Sequence, residues 1–274
     1  MLSGAKGTSM KLIVIPPYKN PAVNMAYVIS ESVGKLKRKN PSDGDEIVVE
    51  EGYPLAEQTE ARDAEFLAGI TPGFLKKVRE YSNMTAFDAI VSTGFLDPGF
   101  EAARTISRIP VAGALHSSLL MASLIGKRTS IVIGTMPLAL AVRQVAESYG
   151  LSHKLASLPA YGHSTTELLK LIDEHKDRLF KTPEAGRITE DIVRQCIAAI
   201  ATDRVDSLIL GCEPTEFWED EVRKQLDAAG YDEIPLICPM PACVQMAKAM
   251  VNMQLKQTPR AYPTDRLRAK PEYA

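Results

Sequence analysis

Among the side chains able to act as acid, base or nucleophile, Cys212 has the most informative setting. It ends an apolar run, V-D-S-L-I-L-G-C-E-P-T from Val205 to Thr215, that stops at Pro214. Such a run reads as a buried parallel strand that delivers one thiol to its carboxyl end, where open α/β sheets bind ligands. A thiol placed there can exchange a proton with a substrate or attack it. Cys238 sits at the end of the following strand and is a second candidate for the site. Cys196 and Cys243 lie in apolar helical patterns and read as core. No pair of cysteines or histidines has C-x-x-C or H-x-x-x-H spacing, so no metal site is expected.

Around Cys212 other groups suit the same chemistry. His116, at a strand–helix junction beside Ser117 and Ser118, is the candidate partner base. One of those serines is expected to cap the helix. Gly134 and Thr135 end a strand and could offer backbone N–H groups to a carboxylate. Thr93 and Thr215 are hydroxyl donors beside the two strand ends, and Gly94 and Phe95 form the first of those ends. Tyr18 and Lys19 follow the opening strand, His163 precedes a helix capped by Ser164 or Thr165, and Glu57 lies in a loop. Trp218 reads as helix core.

The elements that must hold these groups come in matched pairs. Phe87 to Pro98 (F-D-A-I-V-S-T-G-F-L-D-P) parallels the Cys212 segment, with Asp88 opposite Asp206 and Gly94 opposite Cys212. Ile109 to Met121 parallels Ile234 to Met246, and Lys11 to Tyr18 resembles Thr129 to Met136. Three pairs in one order predict a chain of two similar halves. Strands and helices alternate throughout, which demands parallel sheets with right-handed crossovers. The expected fold is α/β: two pseudo-symmetric domains, each a small mostly parallel sheet flanked by helices, with the active site in the cleft between them. The first half takes residues 10–114 plus a C-terminal helix at about 239–256, and the second takes 115–238. Residues 1–9 read as a flexible leader and 257–274 as a C-terminal arm.

Three local expectations matter below. The helix from Ala61 to Ser82 should break near Thr71-Pro72-Gly73, Pro98 should start a helix, and Ile188 should open a helix with Thr189 near its cap.

Composition excludes some classes of function. The chain has 274 residues, 45% hydrophobic and 24% charged, with a net charge of −2. Nothing in that balance points to nucleic acid or an anionic membrane. No apolar run reaches the ~18 residues of a spanning helix, and the first nine residues lack a signal-peptide core. A cytoplasmic protein acting on a small molecule is expected.

The segment F-L-D-P-G-F-E-A-A-R, Phe95 to Arg104, resembles the C-F-x-D-P-G-L-x-A-A-R stretch of hydantoin racemases, within the aspartate/glutamate/hydantoin racemase superfamily. L-G-C-E-P (Leu210 to Pro214) resembles their second cysteine strand, I-P-L-I-C-P (Ile234 to Pro239) their V-P-V-I-D-P, and Glu51 to Gln58 the loop after their second strand. The resemblance spans about Lys11 to Leu255. It implies a cofactor-independent reaction, a homo-oligomer, and two cysteines on opposite faces of an acidified substrate carbon. One thiolate takes a proton and the other thiol returns one, while backbone N–H groups hold the enolate oxygen.

The sequence departs from that pattern where chemistry is expected. Gly94 stands at the first cysteine position, Pro16-Pro17-Tyr18-Lys19 replaces N-P-N-T/S, His116 replaces a glutamate, and Cys238 replaces an aspartate. Glycine carries no proton, so chemistry with the single thiol of Cys212 is the natural reading. The substrate is expected to be a small carboxylate, amino-acid derivative or cyclic imide. Arylmalonate decarboxylases resemble this arrangement, with glycine first and cysteine second, so decarboxylation is an alternative. Hydrolysis with Cys212 as nucleophile and His116 as base is another. A non-catalytic protein binding a small carboxylate in the same cleft is a third.

Overall fold

The computed structural model describes residues 9–41, 44–55 and 64–263. The strands are β1 (Lys11–Ile15), β2 (Glu46–Val49), β3 (Ala89–Ser92), β4 (Val111–Gly113), β5 (Thr129–Val132), β6 (Leu155–Ser157), β7 (Ser207–Leu210) and β8 (Leu236–Ile237). The helices are α1 (Met25–Lys39), α2 (Ala64–Ser82), α3 (Phe100–Ile106), α4 (Ala114–Ile125), α5 (Met136–Ser148), α6 (Thr165–His175), α7 (Pro183–Asp203), α8 (Glu219–Ala228) and α9 (Pro239–Asn252). They build two parallel four-stranded sheets, ordered β2-β1-β3-β4 and β6-β5-β7-β8.

The two orders are the same order repeated. Equivalent aspartates precede the central strands β3 and β7 and anchor the start of each half's first strand. Asp88 accepts a hydrogen bond from the Lys11 amide at 2.7 Å, and Asp206 accepts one from the equivalent Arg128 amide at 3.2 Å and another from the Lys127 amide at 2.7 Å. In the ladders Leu12 pairs with Ala89 and Thr129 with Ser207, so Leu12 is equivalent to Thr129. This corrects the sequence match, which set Leu12 against Ser130. These strands are buried on both faces, so a one-residue slip leaves no trace in their hydrophobicity.

The sheets are covered unequally by their own helices. Leu12 and Val14 pack against Ile29 and Val33 of α1 and against Met240, Cys243 and Val244 of α9. On the other sheet Ile131 and Ile209 pack against Leu115 and Leu119 of α4 and Val142 of α5. In chain order, α4 follows the first sheet's strands but lies on the second sheet, α9 follows the second sheet's strands but lies on the first, and α4 and α9 pack together.

Local expectations were revised in three places. Helix α2 runs through Pro72 without a break; Thr71 Oγ1 donates to the Leu67 carbonyl at 2.6 Å, and Gly73 leaves room for the Tyr53 ring. Residues 61–63 lie outside those described. Pro98 does not open a helix: Asp97 and Gly99 both have positive φ, at 48° and 65°, and α3 begins only at Phe100. Helix α7 begins five residues before the expected start, because Thr182 accepts from the Ala185 amide and Pro183 takes the first helical position. Thr189 is thus a buried residue inside the helix.

Candidate active site

The central strands β3 and β7 end in Thr93-Gly94 and Gly211-Cys212, and both ends open on one cavity of about 60 Å³. Thr93, Gly94, Phe95, Tyr18, Cys212 and Glu213 line it, within a wall that is otherwise almost entirely apolar. Cys212 is half-buried, whereas Cys196, Cys238 and Cys243 are buried. Its backbone has φ of 83°, a conformation L-residues rarely adopt. Strain of this kind costs of order 1–3 kcal/mol and persists where surrounding structure enforces it. Here Thr215 enforces it. The Thr215 amide bonds the Cys212 carbonyl at 3.1 Å, its hydroxyl donates to the Gly211 carbonyl at 2.8 Å, and Tyr161 donates to that hydroxyl at 2.8 Å. The Cys212 Sγ lies 3.6 Å from Thr165 Oγ1, in the first turn of α6.

The remaining candidates lie outside the cavity wall. Thr215 is fully buried and its hydroxyl is used in the turn just described. His116 is the third residue of α4. Its ring packs against Tyr149 and Phe100, and its Nδ1 accepts from Arg104 at 3.3 Å. Burial and the Arg104 charge hold it neutral, with a pKa pulled down to about 4. Gly134 is pressed against the His163 carbonyl, which a β-carbon would meet at 2.3 Å, and Thr135 precedes α5 without a side-chain capping bond. His163 lies between Glu167 (2.8 Å) and Asp191 (3.0 Å). Burial lowers its pKa, but those hydrogen bonds outweigh burial and leave it raised. Cys238 precedes α9 and faces a separate cavity of about 380 Å³ with Lys35, Glu216 and Glu219. Lys19 pairs with Glu51 at the surface, and Glu57 lies outside the described residues.

Four residues have roles that local sequence does not announce. Thr165 was read only as a cap. Asp97 carries the turn after Gly94. Its buried carboxylate accepts from the Leu115 amide (3.3 Å), the His116 amide (2.9 Å) and the Tyr149 hydroxyl (2.9 Å). It thereby caps α4 from another loop, where a serine cap was expected; Ser118 instead donates back to the Ala114 carbonyl. Burial pushes the Asp97 carboxyl up to about 7 against the pull of those donors. Glu216 does the same for α9, accepting from the Met240 amide. Glu213, the fourth, is buried in the cavity wall, next in sequence to Cys212. Its signal was a glutamate between Cys212 and Pro214 at a buried strand end.

Gly94 is a filled position. A β-carbon there would meet Pro98 Cδ at 2.9 Å and Pro17 Cβ at 3.0 Å. Gly94→Cys is therefore expected to lose ~1–3 kcal/mol of stability, read as a lower denaturation midpoint at constant m. An unchanged midpoint would show that the two rings yield.

Two α/β halves of equal strand order, with their central strand ends meeting at one cavity, define a racemase-type two-domain architecture. The chain belongs to the Asp/Glu/Hydantoin racemase family, whose sequence model matches residues 39–247. It is 25% identical over 185 residues to the hydantoin racemase of Pseudomonas sp. (strain NS671), covering 68% of this chain and 66% of that one. With the hydantoin racemase of Rhizobium meliloti it shares 28% identity over 182 residues, 66% of this chain and 67% of that one. The matched stretch thus spans about two thirds of those relatives. In fold it is similar to the allantoin racemase of Pseudomonas fluorescens, with a TM-score of 0.73 at 23% identity over 94% of this chain and 97% of that one. Among the described residues no helix is long and apolar enough to cross a membrane.

Proposed function

We propose that the chain is a cofactor-independent enzyme that moves a proton at a carbonyl-activated carbon through the single thiol of Cys212. Its substrate is a small carboxylate, amino-acid derivative or hydantoin-like cyclic imide. The observation that carries this reading is the shared cavity: Cys212 lines it at the end of β7, and the equivalent end of β3 contributes Gly94, which has no side chain. The thiolate takes the proton, and the C–H electron pair moves onto the carbonyl oxygen as an enolate. Thr93 Oγ1, buried and without a partner, is placed to donate to such an oxygen. Because Gly94 offers no acid, reprotonation from the Cys212 side only exchanges the C–H proton with solvent, and inversion needs an acid other than residue 94 on the opposite face. Decarboxylation of a malonate-type substrate at the same thiol is the second reading, and it draws on the same glycine.

The test is solvent-deuterium incorporation by NMR with 5-substituted hydantoins, amino acids and arylmalonates. Deuterium entering with retention of configuration supports one-sided proton transfer. Loss of optical rotation requires a second base near Gly94. Release of CO2 with one-sided deuteration selects the decarboxylase reading.

A further inference from the structure

The cavity wall contains a carboxyl group that the one-thiol mechanism leaves unused. Glu213 follows Cys212 directly and lines the same cavity, yet only 9% of its surface is exposed. Its Oε1 is buried and has no hydrogen-bond partner. The titratable groups around it are Asp97 from the turn after β3, Glu216 one turn on, Cys243 from α9, and Cys212 and Tyr18, which line the same cavity. None of these is a cation. The unpartnered hydroxyl of Thr93 lines the same cavity. A buried polar atom with no partner costs ~1–3 kcal/mol, and a ligand oxygen in the cavity would satisfy it.

We propose that Glu213 acts as a neutral carboxylic acid that donates a hydrogen bond to the carbonyl oxygen of the substrate. The substrate class is then a neutral amide or cyclic imide bearing an apolar substituent, the substituent meeting the apolar wall. The inference rests on the Cys212 reading and adds the group that answers the charge it creates. As Cys212 takes the proton from carbon, the electron pair reaches the carbonyl oxygen, and the Glu213 O–H stays on Glu213 while its hydrogen bond to that oxygen strengthens. A carboxylic acid kept protonated by an apolar site is a known device for holding an enolate. Burial supports it here, raising the Glu213 pKa to about 8, with the like charge of Asp97 acting in the same direction.

The sign follows from that value. The folded carboxyl holds its proton between about pH 4.5 and 8, where the unfolded one has lost it. Its contribution to stability is complete below that window and is lost as pH rises through it. Glu213→Gln removes the loss, so its melting temperature relative to the parent should rise from pH 5 to about pH 8 and level off above that.

The deciding experiment uses the full chain in two arms. In a Cys212→Ala background, the affinity for 3-methyl-5-phenylhydantoin, which has no acidic imide proton, is measured from pH 6 to pH 10. Binding should weaken about tenfold per pH unit above about 8, and Glu213→Gln should remove that dependence. In the Cys212 chain, Glu213→Leu should slow deuterium incorporation into the same compound by ~10²–10³-fold, and Glu213→Gln, which keeps a donor, by far less. Binding that is absent or flat with pH, or Glu213→Leu exchange equal to the parent, overturns the role of Glu213. Exchange absent from the parent chain, with pH-dependent binding intact, overturns the Cys212 reading and leaves Glu213 as a ligand donor.

Discussion

Replacing Cys212 with alanine is expected to cut solvent-deuterium incorporation by ~10²–10⁴-fold, the range for a positioned acid–base group. The same position should respond to glycine in a second way. Because Cys212 has φ of 83°, Cys212→Gly removes a strained side chain and is expected to raise stability by ~1 kcal/mol while activity falls as in the alanine variant. A matched loss of stability and activity would mean the thiol is a packing residue. One native-state alkylation by iodoacetamide should precede three more on unfolding, since Cys212 alone among the four cysteines is not buried.

The largest effect on stability is expected at Asp97. Asp97→Ala leaves the Leu115 and His116 amides and the Tyr149 hydroxyl without their acceptor. At ~1 kcal/mol or more for each buried donor the loss is ~3 kcal/mol or above, or roughly 6–12 °C in Tm for a chain of this size. Asp97→Asn, which keeps one acceptor oxygen, should recover part of it. An alanine variant as stable as the parent would mean that water reaches this turn and replaces the carboxylate.

The architecture was legible because it depends on repetition and patterning, which survive in one sequence. Asp88 and Asp206 announced equivalent strands, and the structure gives them equivalent hydrogen bonds. What stayed hidden depends on contacts across the fold. The capping of α4 by Asp97 joins residues 18 and 19 positions apart, and local sequence offered Ser117 and Ser118 instead. His116 and His163 looked reactive by type, but which neighbours claim a ring is decided by packing: Arg104 and Tyr149 for one, Glu167 and Asp191 for the other. Glu213 was overlooked for the opposite reason. A glutamate is ordinarily exposed, and only the closed wall beside Cys212 shows this one buried.

The crossing of α4 and α9 sets a condition on how such a molecule can be assembled. A chain ending at Ile125 would leave one face of its sheet covered by α1 alone and carry a helix with nowhere to lie. It could close its core only by lending that helix to a second copy, as exchanged dimers do. The smallest complete unit of this architecture is then a two-fold pair, with the cavity on its axis and the same residue presented from both sides. A symmetric pair can offer two thiols or none. Only when the copies are joined into one polypeptide, and each is free to drift, can one wall keep a cysteine while the other becomes Gly94.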